Sequence, residues 1–312
     1  MLSYRHIIVG ADLAAASTPS MQAAVRSADR FESQRVHLVH VVNTSGVFPP
    51  PLLPDRGEAA AAEDRALEKM KALELPEIEA QVNFEVRSGS PARELSRAAD
   101  EHHADLAVVA RRGHNALTRL VLGSVPNTLT RICNCPVLVL DDDPPQALQF
   151  QRVLAVVDLS AVSRLVIDNA LAVAKAFGGG VEVLSLFERP LTGPEGVLSG
   201  SAEAIDRALN SHQDALDLLL RRASAQRIAP IEGQVAKAMG PVPPGIIEWA
   251  KAGPADLIVM GTSGRNAWHR MILGSTANHV LLRAPCPVLV VPPAVREEAT
   301  EGQLAGISAF GG

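Results

Sequence analysis

The sequence predicts an α/β protein built from two consecutive copies of one parallel-sheet domain, and three observations carry that expectation. Short runs rich in Val, Ile and Leu alternate with longer amphipathic segments, the pattern of parallel strands joined by crossover helices. Gly113 and Gly264 stand 151 residues apart, and so do Gly123 and Gly274, so the chain repeats itself at a fixed spacing. At 312 residues it is long enough for two cores of ordinary size.

The second copy gives the clearer series of elements. Val153 to Val157 is a continuous aliphatic run, as a strand buried on both faces requires, and it ends at Asp158. Ser160 is placed to cap a helix in which Val162, Val166, Ala170, Val173 and Phe177 recur at helical spacing, and Gly178-Gly179-Gly180 stops it. A strand over Val181 to Phe187, a long helix near Ser201 to Ala223 and a strand near Ile231 to Lys237 follow. A helix near Pro244 to Ala252, the strand Asp256 to Met260, a helix over Ser275 to Arg283 and a last strand Pro287 to Val291 complete the copy.

The first copy repeats this order. Ile7 to Asp12, Val36 to Val42, Val82 to Arg87, Asp105 to Val109 and Cys135 to Val139 read as its strands, with Glu58 to Leu73 as its long helix. The domains are expected at 1–142 and 151–293, joined by the charged, proline-rich segment Asp141-Asp142-Asp143-Pro144-Pro145, with 294–312 as a loose tail.

Composition excludes several classes of function. Net charge is −5 and only 3% of residues are aromatic, so neither a basic stripe for a phosphate backbone nor a stacking surface for bases is expected, and nucleic acid is not a predicted partner. No apolar run reaches the length of a signal-peptide core or a membrane span, which gives a cytoplasmic reading with no membrane partner. Three cysteines, Cys133, Cys135 and Cys286, are too few for a disulfide framework and fit a reducing compartment.

The chemistry concentrates at Gly261-Thr262-Ser263-Gly264, followed after nine residues by Gly274-Ser275-Thr276. Two glycines after a strand ordinarily make only a turn. Here they lie at the carboxyl end of a parallel strand, where open α/β sheets bind ligands, and next to a helix start whose N–H groups and dipole favour phosphate. Gly261 leaves the strand without a side chain over the ligand, Gly264 suits a positive φ, and Gly274 permits close approach.

The pattern of two glycines, nine residues, then Gly-Ser/Thr, with an Asp after the first strand and a closing Cys-Pro-Val-Leu-Val strand, resembles the universal stress protein family. The tandem arrangement resembles its two-domain, E-type members. That resemblance implies flavodoxin-like, or adenine-nucleotide α-hydrolase-like, five-stranded domains that hold ATP, with or without Mg2+, across the carboxyl edge of the sheet. It implies Asp158 at the ribose or adenine, Val157 and Leu186 near the base, Met260, Gly261 and Gly264 along ribose and phosphates, and Gly274, Ser275 and Thr276 on the phosphates. Ala277 stands where many ATP-binding members carry a further hydroxyl. It also implies pairing of last strands across a dimer interface, here within one chain, with a homodimer of the whole chain left open.

The matching positions of the first copy are Asp12, Val41, Ala110, Gly113, Gly123 and Ser124. Two departures make this copy a degenerate site. Ala110 puts a methyl group where Gly261 has none, and Pro126 removes a backbone N–H from the helix start. Weak or absent ATP binding by 1–140 is the expectation, and Arg111 and Arg112 read as a solvated loop.

Other candidates point to structure rather than chemistry. Cys133-Asn134-Cys135 lacks zinc-knuckle spacing and reads as core packing, and His102-His103 reads as a helix cap. His269 and His279 flank the complete loop and read as exposed residues, with a phosphate contact from His269 as the alternative. Asp12 and Asp158 lack a partnering nucleophile or metal cluster, and no Walker-type lysine follows the glycines, so no catalytic residue and no metal site is predicted. The expected function is an ATP-binding stress regulator or sensor. The alternatives are a slow ATP-hydrolysing or nucleotidyl-transfer enzyme, or a scaffold holding a non-nucleotide ligand such as a lipid beside Ala110, Val125 and Pro126.

Overall fold

The computed structural model describes residues 2–13, 18–44, 56–111, 122–141, 144–145, 147–187, 202–237, 241–262 and 273–293. The first half runs β1 (His6–Gly10), α1 (Thr18–Arg30), β2 (Arg35–Asn43), α2 (Arg56–Lys71), β3 (Gln81–Gly89), α3 (Pro91–Glu101), β4 (Leu106–Ala110), α4 (Ser124–Ile132) and β5 (Val137–Leu140). The second half follows with β6 (Arg152–Val157), α5 (Ser163–Phe177), β7 (Gly180–Phe187), α6 (Ala202–Ser224), β8 (Ile231–Lys237), α7 (Val242–Ala252), β9 (Leu257–Gly261), α8 (Ser275–Arg283) and β10 (Val288–Val291).

Among the described residues, ten strands form one sheet in the order β3-β2-β1-β4-β5-β10-β9-β6-β7-β8. Pairing within each half is parallel, and the halves meet where β5 and β10 pair antiparallel, with Leu138 opposite Leu289. The expected edge pairing is therefore made inside the chain. Each half has the order 3-2-1-4-5, so the doubly wound class is as expected while the order is that of the first five strands of a dinucleotide-binding sheet, 3-2-1-4-5-6, rather than flavodoxin's 2-1-3-4-5. The switch point, where neighbouring crossovers diverge and leave a crevice, lies between β1 and β4 and between β6 and β9.

The middle strands are apolar on both faces because helices cover both, and the chain builds two cores that each run through both halves. One lies under α1, α2, α5 and α6 and contains Val9, Leu38, Met70, Val153, Leu171 and Leu216. The other lies under α3, α4, α7 and α8 and contains Leu95, Leu129, Ile246 and Val280.

Rings tie the halves together in the first core. Tyr4 meets Phe31 edge-on at 5.0 Å, Phe31 meets Phe177 at 5.4 Å, and Phe177 meets Phe150 at 4.8 Å. The Tyr4 hydroxyl donates across the halves to Asn169 Oδ1 at 2.7 Å, and burial pushes its pKa far up, so it stays a donor. A chain poor in aromatics has spent four of them on one interdomain ladder.

Local details correct three expectations. Ser160 does not cap α5: its N–H donates to Asp158 Oδ1 at 3.0 Å, and the helix begins after Val162 with no side-chain cap bond. An aspartate two residues upstream offers a stronger acceptor, so the segment folds into an Asx turn. His102 does cap α3, but through its backbone N–H on Ala98 O at 2.9 Å; its imidazole faces Glu85 and not the terminal carbonyls. Arg111 is not solvated; it is buried at 8% exposure.

Candidate functional site

Each half builds its crevice edge from the same backbone. In the second, Thr262 N–H bonds Val291 O at 3.1 Å and Gly274 N–H bonds Thr262 O at 2.8 Å, which draws the start of α8 against the end of β9. In the first, Arg111 N–H bonds Leu140 O at 2.7 Å and Gly123 N–H bonds Arg111 O at 2.9 Å. Gly123 has φ −59° and ψ 150°, and Gly274 has φ −59° and ψ 152°. Neither glycine therefore serves a left-handed conformation. Both put the next residues, Ser124 and Ser275, on an exposed helix start.

The difference lies in the donors offered there. A helix leaves its first N–H groups without intrahelical partners, and these point out of its N-terminus. In α8 the residues after the cap are Ser275, Thr276 and Ala277, all with N–H groups. In α4 they are Ser124, Val125 and Pro126, the last of which has none.

Five of the six first-half residues singled out in the sequence, Asp12, Val41, Ala110, Gly123 and Ser124, line one cavity of about 300 Å³ that straddles the carboxyl edge of the sheet. Gly113 lies outside the described residues, as does Arg112. Val125 and Pro126 line the same cavity, as do Gly10 and His40, which sequence reasoning passed over. Gly10 was legible as the glycine ending the first strand. His40 was not, because its task is to hold the carbonyl of Ala11, 2.8 Å from its Nδ1, and that contact depends on strand register.

In the second half, Val157, Met260 and Gly261 end the two strands at the switch point, Asp158 follows the first of them, Leu186 sits near the end of neighbouring β7, and Gly274 caps α8, which Ser275 and Thr276 begin. Gly264, Ser263 and His269 lie outside the described residues. Asp158 Oδ1 accepts from Ser160 N–H at 3.0 Å and from Ser163 Oγ at 3.2 Å, which fixes the carboxylate at the head of α5. Leu159, beside it, holds φ at 61°, a conformation costing a side-chain-bearing residue about 1–2 kcal/mol. Its counterpart Leu13 is not among the positive-φ residues.

Arg111 reaches from the first crevice into the second half. Nη1 donates to Ala284 O at 3.0 Å, Nη2 donates to Cys286 O at 2.8 Å, and Nη2 pairs with Asp141 at 3.0 Å. Thr262 holds the same place in the second half, buried but too short for a reciprocal clasp.

All three cysteines are buried as thiols. Cys133 and Cys135 sulfurs lie 3.5 Å apart, and burial pushes the Cys286 thiol up to about 12, far from a reactive thiolate.

One cluster had no sequence expectation. His37 on β2, Glu85 on β3 and His102 after α3 bring three ligand-type atoms within 4.8 Å of one another. His102 Nε2 lies 2.8 Å from Glu85 Oε2, and the two imidazoles stack at 3.9 Å and 22°. Burial first, then His102, holds the His37 pKa below its usual value.

Fold and edge together define a duplicated, doubly wound α/β protein with a glycine-led helix start beside each switch point. The Universal stress protein family model matches residues 3–141 and 149–292. The chain belongs to the universal stress protein family, with two family units in tandem. A universal stress protein of Mycolicibacterium smegmatis is 30% identical over 303 residues, spanning 92% of this chain and 97% of that protein. The universal stress protein E homolog of Haemophilus influenzae is 22% identical over 234 residues, 72% of this chain and 73% of that one. Among solved structures, a universal stress protein from Archaeoglobus fulgidus superposes with a TM-score of 0.62 at 20% identity, over 93% of this chain and 98% of that one. At that identity the likeness is one of fold.

Proposed function

We propose that this protein is a nucleotide-responsive stress regulator that binds ATP, with Mg2+ as counterion, at the carboxyl edge of its second half. The observation that carries the reading is the start of α8. Ser275, Thr276 and Ala277 present helix-terminal N–H groups beside Gly261, with the Asp158 carboxylate fixed across the switch point. Leu159 adds backbone strain at the same edge, where strain is commonly kept for function. The proposed activity is binding, with slow hydrolysis at most, because the groups assigned here are backbone donors and no Walker-type lysine accompanies them.

A second reading concerns the first half. Its cavity is lined by Ala110, Val125 and Pro126, apolar groups where the other copy offers Gly261, Thr276 and Ala277. That lining favours a small ligand with an apolar part over a triphosphate. The domain division expected from sequence, a degenerate 1–142 and an ATP-binding 151–293, is part of this proposal.

Mass spectrometry of nucleotide retained through purification, followed by ATP titration, tests the first reading. Gly261→Val and Gly274→Val are each expected to weaken ATP binding about 10-fold or more, about 1.4 kcal/mol. No retained nucleotide together with no ATP affinity in the unaltered protein would overturn it.

A further inference from the structure

The His37, Glu85 and His102 cluster lies away from both crevices. His37 is the third residue of β2, so it sits toward the amino end of the sheet, whereas the crevices open at the carboxyl ends. Register puts the groups on one face: Val36 pairs with Val82 and Val39 with Glu85, so His37 and Glu85 point toward α3, and His102 follows that helix. We propose that this cluster is a binding site for a first-row divalent metal ion, zinc foremost, built by the first half alone.

The donor set is two imidazoles and one carboxylate, which suits zinc and leaves a fourth position for water. Tetrahedral zinc separates its ligand atoms by roughly 3.3 Å, so a spread of up to 4.8 Å closes by at most about 1.5 Å, and the stacked imidazoles turn to bring their nitrogens to one point. His102 Nε2 and Glu85 Oε2 already lie 2.8 Å apart, and His102 sits just past a helix end on a half-exposed side chain, so the movement falls on the freer partners.

The surroundings fit a held ligand. Arg87 Nε donates to Glu85 Oε1 at 2.6 Å, which fixes the carboxylate and turns Oε2 toward His102. Outer partners of this kind orient metal ligands. The Arg87 charge is itself answered by Glu101 and by Glu94 at 3.8 Å, while His6 and Arg35 are the other charged or titratable neighbours of His37.

The second half supplies an internal control. Ile7 pairs with Val36 as Val153 pairs with Val181, and Val181 pairs with Ile231 as Val36 pairs with Val82. The places of His37 and Glu85 are therefore taken by Glu182 and Gln234, and that of His102 by Gly253. There Glu182 Oε1 accepts from Gln234 at 3.0 Å and from Trp249 Nε1 at 2.9 Å, a closed hydrogen-bond set without imidazole. One copy has satisfied this position with neutral donors; the other holds three metal-ligand groups.

The test uses the full chain, stripped with a chelator and titrated with zinc alone against a coloured competitor, with cobalt(II) as a spectroscopic probe. One tight zinc per chain is expected, not two, with a visible cobalt band of four-coordinate intensity. His102→Gln and Glu85→Gln, both at half-exposed positions, should each weaken zinc about 10-fold or more and remove the band. His103→Gln, on the exposed neighbour, should change neither. Thermal melts check that each variant is folded. The proposal is overturned if the unaltered chain takes up no zinc in the micromolar range, or if the folded His102→Gln and Glu85→Gln variants bind as it does.

Discussion

At the head of their edge helices the two halves have one backbone and two chemistries. Gly123 and Gly274 agree in ψ within 2°, and each accepts the N–H of the residue four positions on, Asn127 or Asn278. Yet Pro126 stands where Ala277 does, Ala110 where Gly261 does, and Arg111 where Thr262 does. Packing preserves the backbone, because β4, β5, β9 and β10 form the buried centre of the sheet and cannot shift independently. Side chains at the edge are free to diverge.

The largest expected effect comes from the Arg111 clasp. Arg111→Ala removes two hydrogen bonds and an ion pair from a buried site and strands the carbonyls of Ala284 and Cys286, costing about 3 kcal/mol in urea unfolding. Thr262→Ala, at the matching place, should cost no more than about 1 kcal/mol. Equal costs would show that the asymmetry of the clasp carries no weight.

What the chain revealed before its structure follows the same division. The strands, the repeat and the switch-point glycines were legible because they depend on local pattern and on one spacing. Most ends of the second copy's elements fall within a residue or two of expectation. Arg111 misled because an arginine after a strand ordinarily faces water, and its partners at Ala284 and Cys286 come from the other copy. The His37, Glu85 and His102 cluster was invisible for a related reason: only the β2–β3 register and the end of α3 bring these residues together. Contacts between segments distant in sequence leave no periodic signal.

The crevice difference can be tested by reversing it. Ala110→Gly combined with Pro126→Ala restores an open strand end and a third helix-start N–H to the first half. ATP affinity there should rise about 10-fold, near 1.4 kcal/mol, read as a second binding event in calorimetry. If the double variant gains nothing, the two side chains are not what separates the halves.

The ring ladder offers a smaller effect. Tyr4→Phe keeps the stack on Phe31 and removes the hydroxyl bonded to Asn169, so about 1 kcal/mol of stability should be lost. Its counterpart Phe150 lacks a hydroxyl and sits in the same ladder. A loss far above that value would mean that Asn169 finds no substitute partner once the hydroxyl is gone.

The smallest difference lies where the first helix of each half ends. Gly178 follows α5 with φ 67°, and Glu32, at the matching place after α1, holds φ at 54°. A left-handed residue lets the N–H of Gly179 reach Ala174 O at 2.8 Å, and that of Ser33 reach Ala28 O at 2.9 Å, so both copies need the conformation. Only one has the residue suited to it. Glu32 is exposed, so Glu32→Gly relieves backbone strain with little packing lost and should stabilise the chain by about 0.5–1 kcal/mol. A Cβ at Gly178 would meet nothing within 4 Å, so Gly178→Ala tests conformation alone and should cost about 1 kcal/mol. Thermal unfolding of the pair should move in opposite directions. Shifts of the same sign would mean that the two helix ends are held by something other than their left-handed residues.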